Sequence, residues 1–268
     1  MAIEWKIDEE TRTLVIRGRG IVADEKEKDA QIKKPWLTKK VTISRAKTDL
    51  TIRHIKIGSG ITALGEGAFE GLKNVETVEL PKSLKRIGKN AFDKCTALQS
   101  VKMGEGIETI EEYAFNKCTS LTSIVIPDGI TSIDENVFSG CTALESVKIP
   151  NSVKSIGDGA FWGCTALTAV RIPSGVKTVG SQAFYGCSGI TSLKIPETVT
   201  VIGRSAFSGC TSLTSLKLPN SIKTIGACAF WGCSDLEISM SNKDMDIGKD
   251  AFRNVKTINV RTDGWNKV

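Results

Sequence analysis

Apolar residues return at the same positions every 23 residues through most of this chain. Residues 144–166 read LESVKIPNSVKSIGDGAFWGCTA, and the next two stretches read LTAVRIPSGVKTVGSQAFYGCSG and ITSLKIPETVTVIGRSAFSGCTS. Within one unit, Leu-x-x-Val-x-Ile alternates apolar and polar residues at period two, which predicts a short strand with inward Val and Ile. Proline follows at Pro81, Pro127, Pro150, Pro173, Pro196 and Pro219, and because it cannot donate to a ladder it ends the strand there. Val-x-x-Ile-Gly then predicts a second brief extended segment. Asp158-Gly159-Ala160-Phe161 suits one short turn of helix, with Phe filling the core. No single unit can bury its own apolar face, so the units must stack into a repeat solenoid, mostly β, with one continuous core.

The ends depart from the repeat. Residues 1–49 are expected to cap the array, because an uncapped end exposes the core of its last coil. Residues 3–7 alternate, and Leu14-Val15-Ile16 follows after a turn-like stretch, a hairpin pattern. Residues 18–34, with the charged run 24–29, read as a surface loop, and Pro35-Trp36 leads the chain back toward something apolar. About nine coils occupy residues 50–260. The coil from Leu236 is one residue short and places Ser239 and Asp244 at phases that are apolar elsewhere. Residues 261–268 form a tail in which Trp265 is placed to cover the array end.

Composition narrows the chemistry. A length of 268 residues with 40% hydrophobic content allows a large core, and a net charge of +6 permits an acidic partner without requiring one. No apolar run approaches the ~20 residues of a membrane span, and the first residues lack the basic-then-apolar pattern of a secretion leader. Seven of the eight cysteines, Cys95, Cys118, Cys141, Cys164, Cys187, Cys210 and Cys233, lie 23 apart. Stacked coils aim them in parallel, unsuited to the roughly 90° torsion of a disulfide. They read as a buried ladder of small hydrophobes. Metal binding is not expected, since these thiols do not converge at ligand spacing. Leu72 takes the same phase in the first coil, as an apolar position would.

The pattern LxxVxIPxxVxxIGxxAFxGCxx over residues 52–260 resembles the BspA-like leucine-rich repeats, and Trp5, Leu14-Val15-Ile16 and Pro35-Trp36 are similar to the segment that often precedes such arrays. The asparagine ladder of common leucine-rich repeats is missing, with Ser152, Gly175 and Ser221 near that phase. The resemblance implies a right-handed solenoid with a parallel sheet on its concave side. It also implies a secreted or cell-surface protein that binds host proteins as an adhesin does. Unpaired thiols and the missing leader fit a reducing interior instead.

Function in such an array is expected on the outward residues of stacked strands, which form columns. One column reads Lys56, Glu79, Lys102, Val125, Lys148, Arg171, Lys194, Lys217 and is basic over its last four members. Ser146, Ala169, Ser192 and Ser215 beside it leave room for a partner. Lys148, Arg171, Lys194 and Lys217 are therefore candidates for contacting an acidic protein or an anionic glycan; the competing reading is solvated filler. Nucleic acid is a weaker match, because no aromatic platform is interleaved with the basic file. A second candidate is an aromatic patch after the core Phe, formed by Trp162 and Tyr185 with Trp231 further along. These rings serve either as interface anchors or as packing beneath a loop. His54, the one histidine, lies among strand residues without a nucleophile partner, and no phosphate-cradling loop is present. The expectation is a monomeric, non-catalytic binding scaffold without cofactor, the alternative being an assembly module that self-associates or positions another domain.

Overall fold

A computed structural model describes residues 3–22, 52–242 and 244–260. The charged run 24–29, Pro35-Trp36 and Trp265 lie outside the described residues. The chain forms a parallel β-solenoid with two strands per coil, and no helix occurs among the described residues. The N-terminal strands β1 (Glu4–Asp8) and β2 (Thr13–Arg17) pair antiparallel, and β2 pairs in parallel with β4 (His54–Ile57). The long-strand face continues through β6 (Thr77–Glu79) and β8 (Ser100–Lys102), then β10 (Ser123–Val125) and β12 (Ser146–Lys148). It ends with β14 (Ala169–Arg171), β16 (Ser192–Lys194), β18 (Ser215–Lys217), β20 (Glu237–Met240) and β22 (Thr257–Val260). The short-strand face runs through β3 (Gly20–Val22), β5 (Ile61–Leu64), β7 (Arg86–Ile87) and β9 (Thr109–Ile110). It resumes with β11 (Ser132–Ile133), β13 (Ser155–Ile156), β15 (Thr178–Val179), β17 (Val201–Ile202), β19 (Thr224–Ile225) and β21 (Asp246–Ile247).

The core follows the repeat. All nine phenylalanines of the chain, from Phe69 to Phe252, form one file with successive ring centroids 5.1 to 5.7 Å apart. That spacing lies within the range of favourable aromatic pairs. The cysteine ladder lies beside it. Each of these thiols is buried and donates to the carbonyl of a phenylalanine in the preceding coil, as Cys141 Sγ does to Phe115 O at 3.2 Å. Leu72, at the same phase, is half-buried.

Where one turn of helix was expected, the chain makes a run of tight turns. Ala160 N, Trp162 N and Cys164 N donate three residues back within the coil, to Gly157, Gly159 and Phe161. The alternate amides, of Gly159, Phe161 and Gly163, donate instead to Ser181, Ala183 and Tyr185 of the next coil. Two left-handed residues per coil enforce this, here Gly159 at φ 60° and Gly163 at φ 69°; a right-handed helix cannot pass through them. The same two phases are left-handed in other coils even when side chains occupy them, as at Tyr113 and Lys117.

Two expectations at the ends are corrected. Residues 20–22 are strand rather than loop, and the β-branched Val22 is completely buried against the first coil. In the short coil the missing residue falls just before β20, so Glu237 pairs with Ser215 and Ser239 with Lys217. Ile238 and Met240 therefore point inward, and Ser239 takes an outward position rather than an apolar one. Asp244 is exposed, and its neighbour Met245 is buried.

Both faces are interrupted at one junction. Strand pairing lapses between β8 and β10 and between β9 and β11, that is, between the coil ending near residue 120 and the next. The short-strand break coincides with a gap in a column of glycines. A Cβ on Gly180 or Gly203 would lie 2.6 Å from backbone carbon of the coil beneath. The column holds Glu111 and then Asp134, so at this junction alone in the column two side-chain-bearing residues would face each other. Gly157 N and Gly180 N donate to Ile133 and Ile156 at 2.7 and 2.8 Å, whereas the amide of Asp134 makes no such bond to Ile110.

Candidate functional site

The outward column on the long-strand face is built by strand register. Lys56 pairs with Glu79, Glu79 with Lys102, Val125 with Lys148, Arg171 with Lys194 and Lys217 with Ser239. Its first half is ion-paired: Glu79 binds Lys56 at 2.9 Å and Lys102 at 3.7 Å. The hydrogen bond from Lys56 holds the Glu79 carboxyl below its ordinary range, with the charges of Lys56 and Lys102 adding to the effect. Further ion pairs link successive coils from Arg53–Glu76 to Lys89–Glu112.

The second half differs. Lys148, Arg171, Lys194 and Lys217 are all exposed, and none has an ion-pair partner among the described residues. They are not evenly spaced rungs. Strand pairing also lapses between β12 and β14 and between β16 and β18, so only Arg171 and Lys194 are registered neighbours. Each lapse opens a notch. One of about 400 Å³ lies between Lys148 and Arg171, floored by Val147 and Ile149 with Asp128 on its rim. Another of about 230 Å³ lies between Lys194 and Lys217, floored by Leu193 and Ile195 with Glu197 on its rim. The β8–β10 lapse opens a third, of about 620 Å³, whose apolar lining includes Val101, Met103, Val125 and Pro127. In paired coils the residue after the strand bonds onward, as Ile126 N does to Lys148 O and Ile172 N to Lys194 O. The amides of Met103, Ile149 and Ile195 at the notches make no such bond.

These notches were not legible in the sequence. The 23-residue repeat carries no two-coil period, and the only hint is Val125 interrupting a charged column; its side chain is 58% exposed. The aromatic candidates do come together. Trp162 and Tyr185 stack at 6.0 Å with planes 3° apart. Trp162 and Trp231 remain exposed, and Trp231 is separated from Tyr185 by a coil carrying the buried Ser208, whose hydroxyl donates to Trp231 O. This patch and the basic column are separate features.

Among the described residues nothing draws the remaining groups into one constellation. His54 Nδ1 lies 2.8 Å from Thr77 Oγ1 on the neighbouring strand. Burial pushes the Cys95 and Cys141 thiols up to about 12 and that of Cys233 to about 11. Among the described residues no group of three or more His, Cys, Asp or Glu is placed to hold a metal, and no helix is long and apolar enough to cross a membrane.

The BspA type leucine rich repeat region matches residues 46–168 and 131–259 in six copies. A leucine-rich-repeat protein of T. pallidum shares 30% identity, covering 79% of this chain and 88% of its own, with a TM-score of 0.60. A leucine-rich-repeat protein from Eubacterium ventriosum shares 21% identity over 97% of this chain and 82% of its own, with a TM-score of 0.48. A leucine rich cell surface protein from Faecalibacterium prausnitzii shares 21% identity over 99% and 94%, with a TM-score of 0.40. No curated protein shows significant similarity to the chain. Scaffolds of this kind generally serve in protein interaction rather than catalysis. The 23-residue coils, their phenylalanine file and the repeat match agree: the chain belongs to the BspA-type leucine-rich-repeat family.

Proposed function

We propose that this protein is a non-catalytic scaffold that docks the acidic surface of a macromolecule along Lys148, Arg171, Lys194 and Lys217. The observation that carries this reading is the contrast within one column. Both upstream lysines are paired with Glu79, whereas four cations on four successive coils have no such partner among the described residues. Like charges a few ångströms apart repel, and an anionic partner relieves that repulsion while gaining attraction to all four. Ser146, Ala169, Ser192 and Ser215 at the strand starts are small and exposed, so a partner reaches the file without steric hindrance. Family resemblance goes with display at the cell surface or secretion, as in adhesins.

Retention on immobilised poly-glutamate tests the reading. Wild type is expected to bind at low salt and elute as salt rises. Reversing all four cations to glutamate is expected to abolish retention while the circular dichroism spectrum and oligomeric state stay those of wild type. Unchanged elution of the reversed variant would sink the proposal.

A further inference from the structure

The three notches share one line and one step. They open between β8 and β10, between β12 and β14, and between β16 and β18, so each lies two coils beyond the last. Two coils advance by two of the 5.1 to 5.6 Å steps that the phenylalanine file takes over these coils, somewhat more than two ordinary strand spacings of ~4.8 Å. Their chemistry is ordered along the line. The first has the largest apolar share, from Val101, Met103, Val125 and Pro127, with Lys102, Glu105, Asp128 and Lys148 around it. The second lies between Lys148 and Arg171, the third between Lys194 and Lys217. At each of these two a main-chain amide, of Ile149 or Ile195, has no carbonyl from the next coil. Cations paired across a notch, with an N–H beside them, suit a carboxylate.

A polyproline II helix has three residues per turn and rises ~3.1 Å per residue, so residues i, i+3 and i+6 share one face at steps of ~9.3 Å. That repeat falls about 1 to 2 Å short of the notch step, a difference that the long lysine and arginine side chains at the two basic notches absorb. An extended β-strand does not match, because its alternation turns residue i+3 to the opposite face. We infer that the partner is an extended acidic peptide in polyproline II conformation, with an apolar residue at i and carboxylates at i+3 and i+6. The apolar side chain enters the Val125 notch, and the carboxylates enter the two basic notches. The rim carboxylates Asp128 and Glu197 disfavour a continuous run of negative charge and so favour one acid per turn. This inference rests on the basic file being the docking face and adds the partner's conformation and register.

Fluorescence anisotropy with the full chain tests it. The probe is a labelled Pro-Leu-Pro-Pro-Glu-Pro-Pro-Glu-Pro peptide, made also in reverse order because the groove does not dictate chain direction. The control has the same composition with the glutamates moved to i+2 and i+5. One of the two aligned peptides is expected to bind at least about tenfold more tightly than its control. Val125→Ser, which removes the apolar contact without adding a charge beside Lys148, is expected to remove that advantage. Equal affinity for aligned and shifted peptides, or no effect of Val125→Ser, would overturn the inference. Binding of poly-glutamate or a sulfated polysaccharide without preference for the aligned peptide also overturns it but leaves the docking face standing. Loss of all polyanion binding overturns both.

Discussion

Cys141 illustrates what the thiol ladder does for stability. Its sulfur donates to Phe115 O at 3.2 Å, and burial pushes its pKa up to about 12. Burial likewise raises Cys95, Cys118, Cys164, Cys210 and Cys233. The sign of the pH dependence follows. A thiol near 9 in the unfolded chain and raised in the native one is protonated in both states at neutral pH, so its full contribution is present there. Above pH 9 the unfolded state sheds the proton first, and native stability declines as pH rises toward 11 or 12. Each such thiol adds a slope approaching about 1.4 kcal/mol per pH unit. Urea unfolding at pH 8, 9 and 10 is therefore expected to show falling stability. Cys141→Ala should be less stable at pH 8 yet fall less steeply, by about the slope of one thiol. Parallel slopes for the two proteins would contradict this account.

Within the elements, the decisive position is Asp134, where the glycine column fails opposite Glu111. Its carboxylate accepts from Ser132 Oγ at 2.7 Å, an interaction near the surface that substitutes poorly for a lost inter-coil main-chain bond. Asp134→Gly restores glycine to the column, and the residue 134 amide is expected to reach Ile110 O. One recovered hydrogen bond is worth about 1 kcal/mol, measurable as a raised unfolding midpoint and as new exchange protection of that amide. A midpoint at or below wild type, with the amide still unprotected, would show that the glycine column is not what separates these strands. The sequence displayed the repeat, the inward phases and the outward column because each follows from side-chain periodicity. It also displayed the absence of glycine at residues 111 and 134, but not its consequence. Contact between columns one coil apart is set by backbone approach, which apolar periodicity does not record. The run of tight turns in place of a helical turn escapes side-chain periodicity for a related reason. Left-handed backbone is announced by Gly159 and Gly163 in one coil but concealed by Tyr113 and Lys117 in another. Similarly, the deletion before β20 changes register without changing composition, which is why Ser239 looked like a core defect.

Across the whole molecule, the junction between β8/β9 and β10/β11 divides the array by charge as well as by hydrogen bonding. Before it, successive coils are linked by exposed ion pairs such as Lys82–Glu105, Lys85–Glu108 and Lys89–Glu112. After it, the basic file repels itself, and the one further pair among the described residues lies near the C-terminal end, Lys256–Glu237. In a solenoid each coil touches only its neighbours, so stability is a sum of coil and interface contributions and can differ from block to block. Exposed pairs are individually weak, about 0–1 kcal/mol, and salt screens them; at 1 M the screening length is about 3 Å. Salt also screens the repulsion among Lys148, Arg171, Lys194 and Lys217. The two blocks should therefore respond with opposite sign. Native-state hydrogen exchange at low and at high sodium chloride is expected to show reduced protection of the short strands β7 and β9 and increased protection of β13 to β19. Sodium perchlorate in parallel separates screening from preferential exclusion of salt, which would raise protection everywhere. A uniform response of both blocks in both salts would mean that the ion pairs and the unpaired file contribute equally little to the native state. It would also remove the energetic reason for the file to seek an anionic partner, so the exchange experiment bears on function without any ligand in hand.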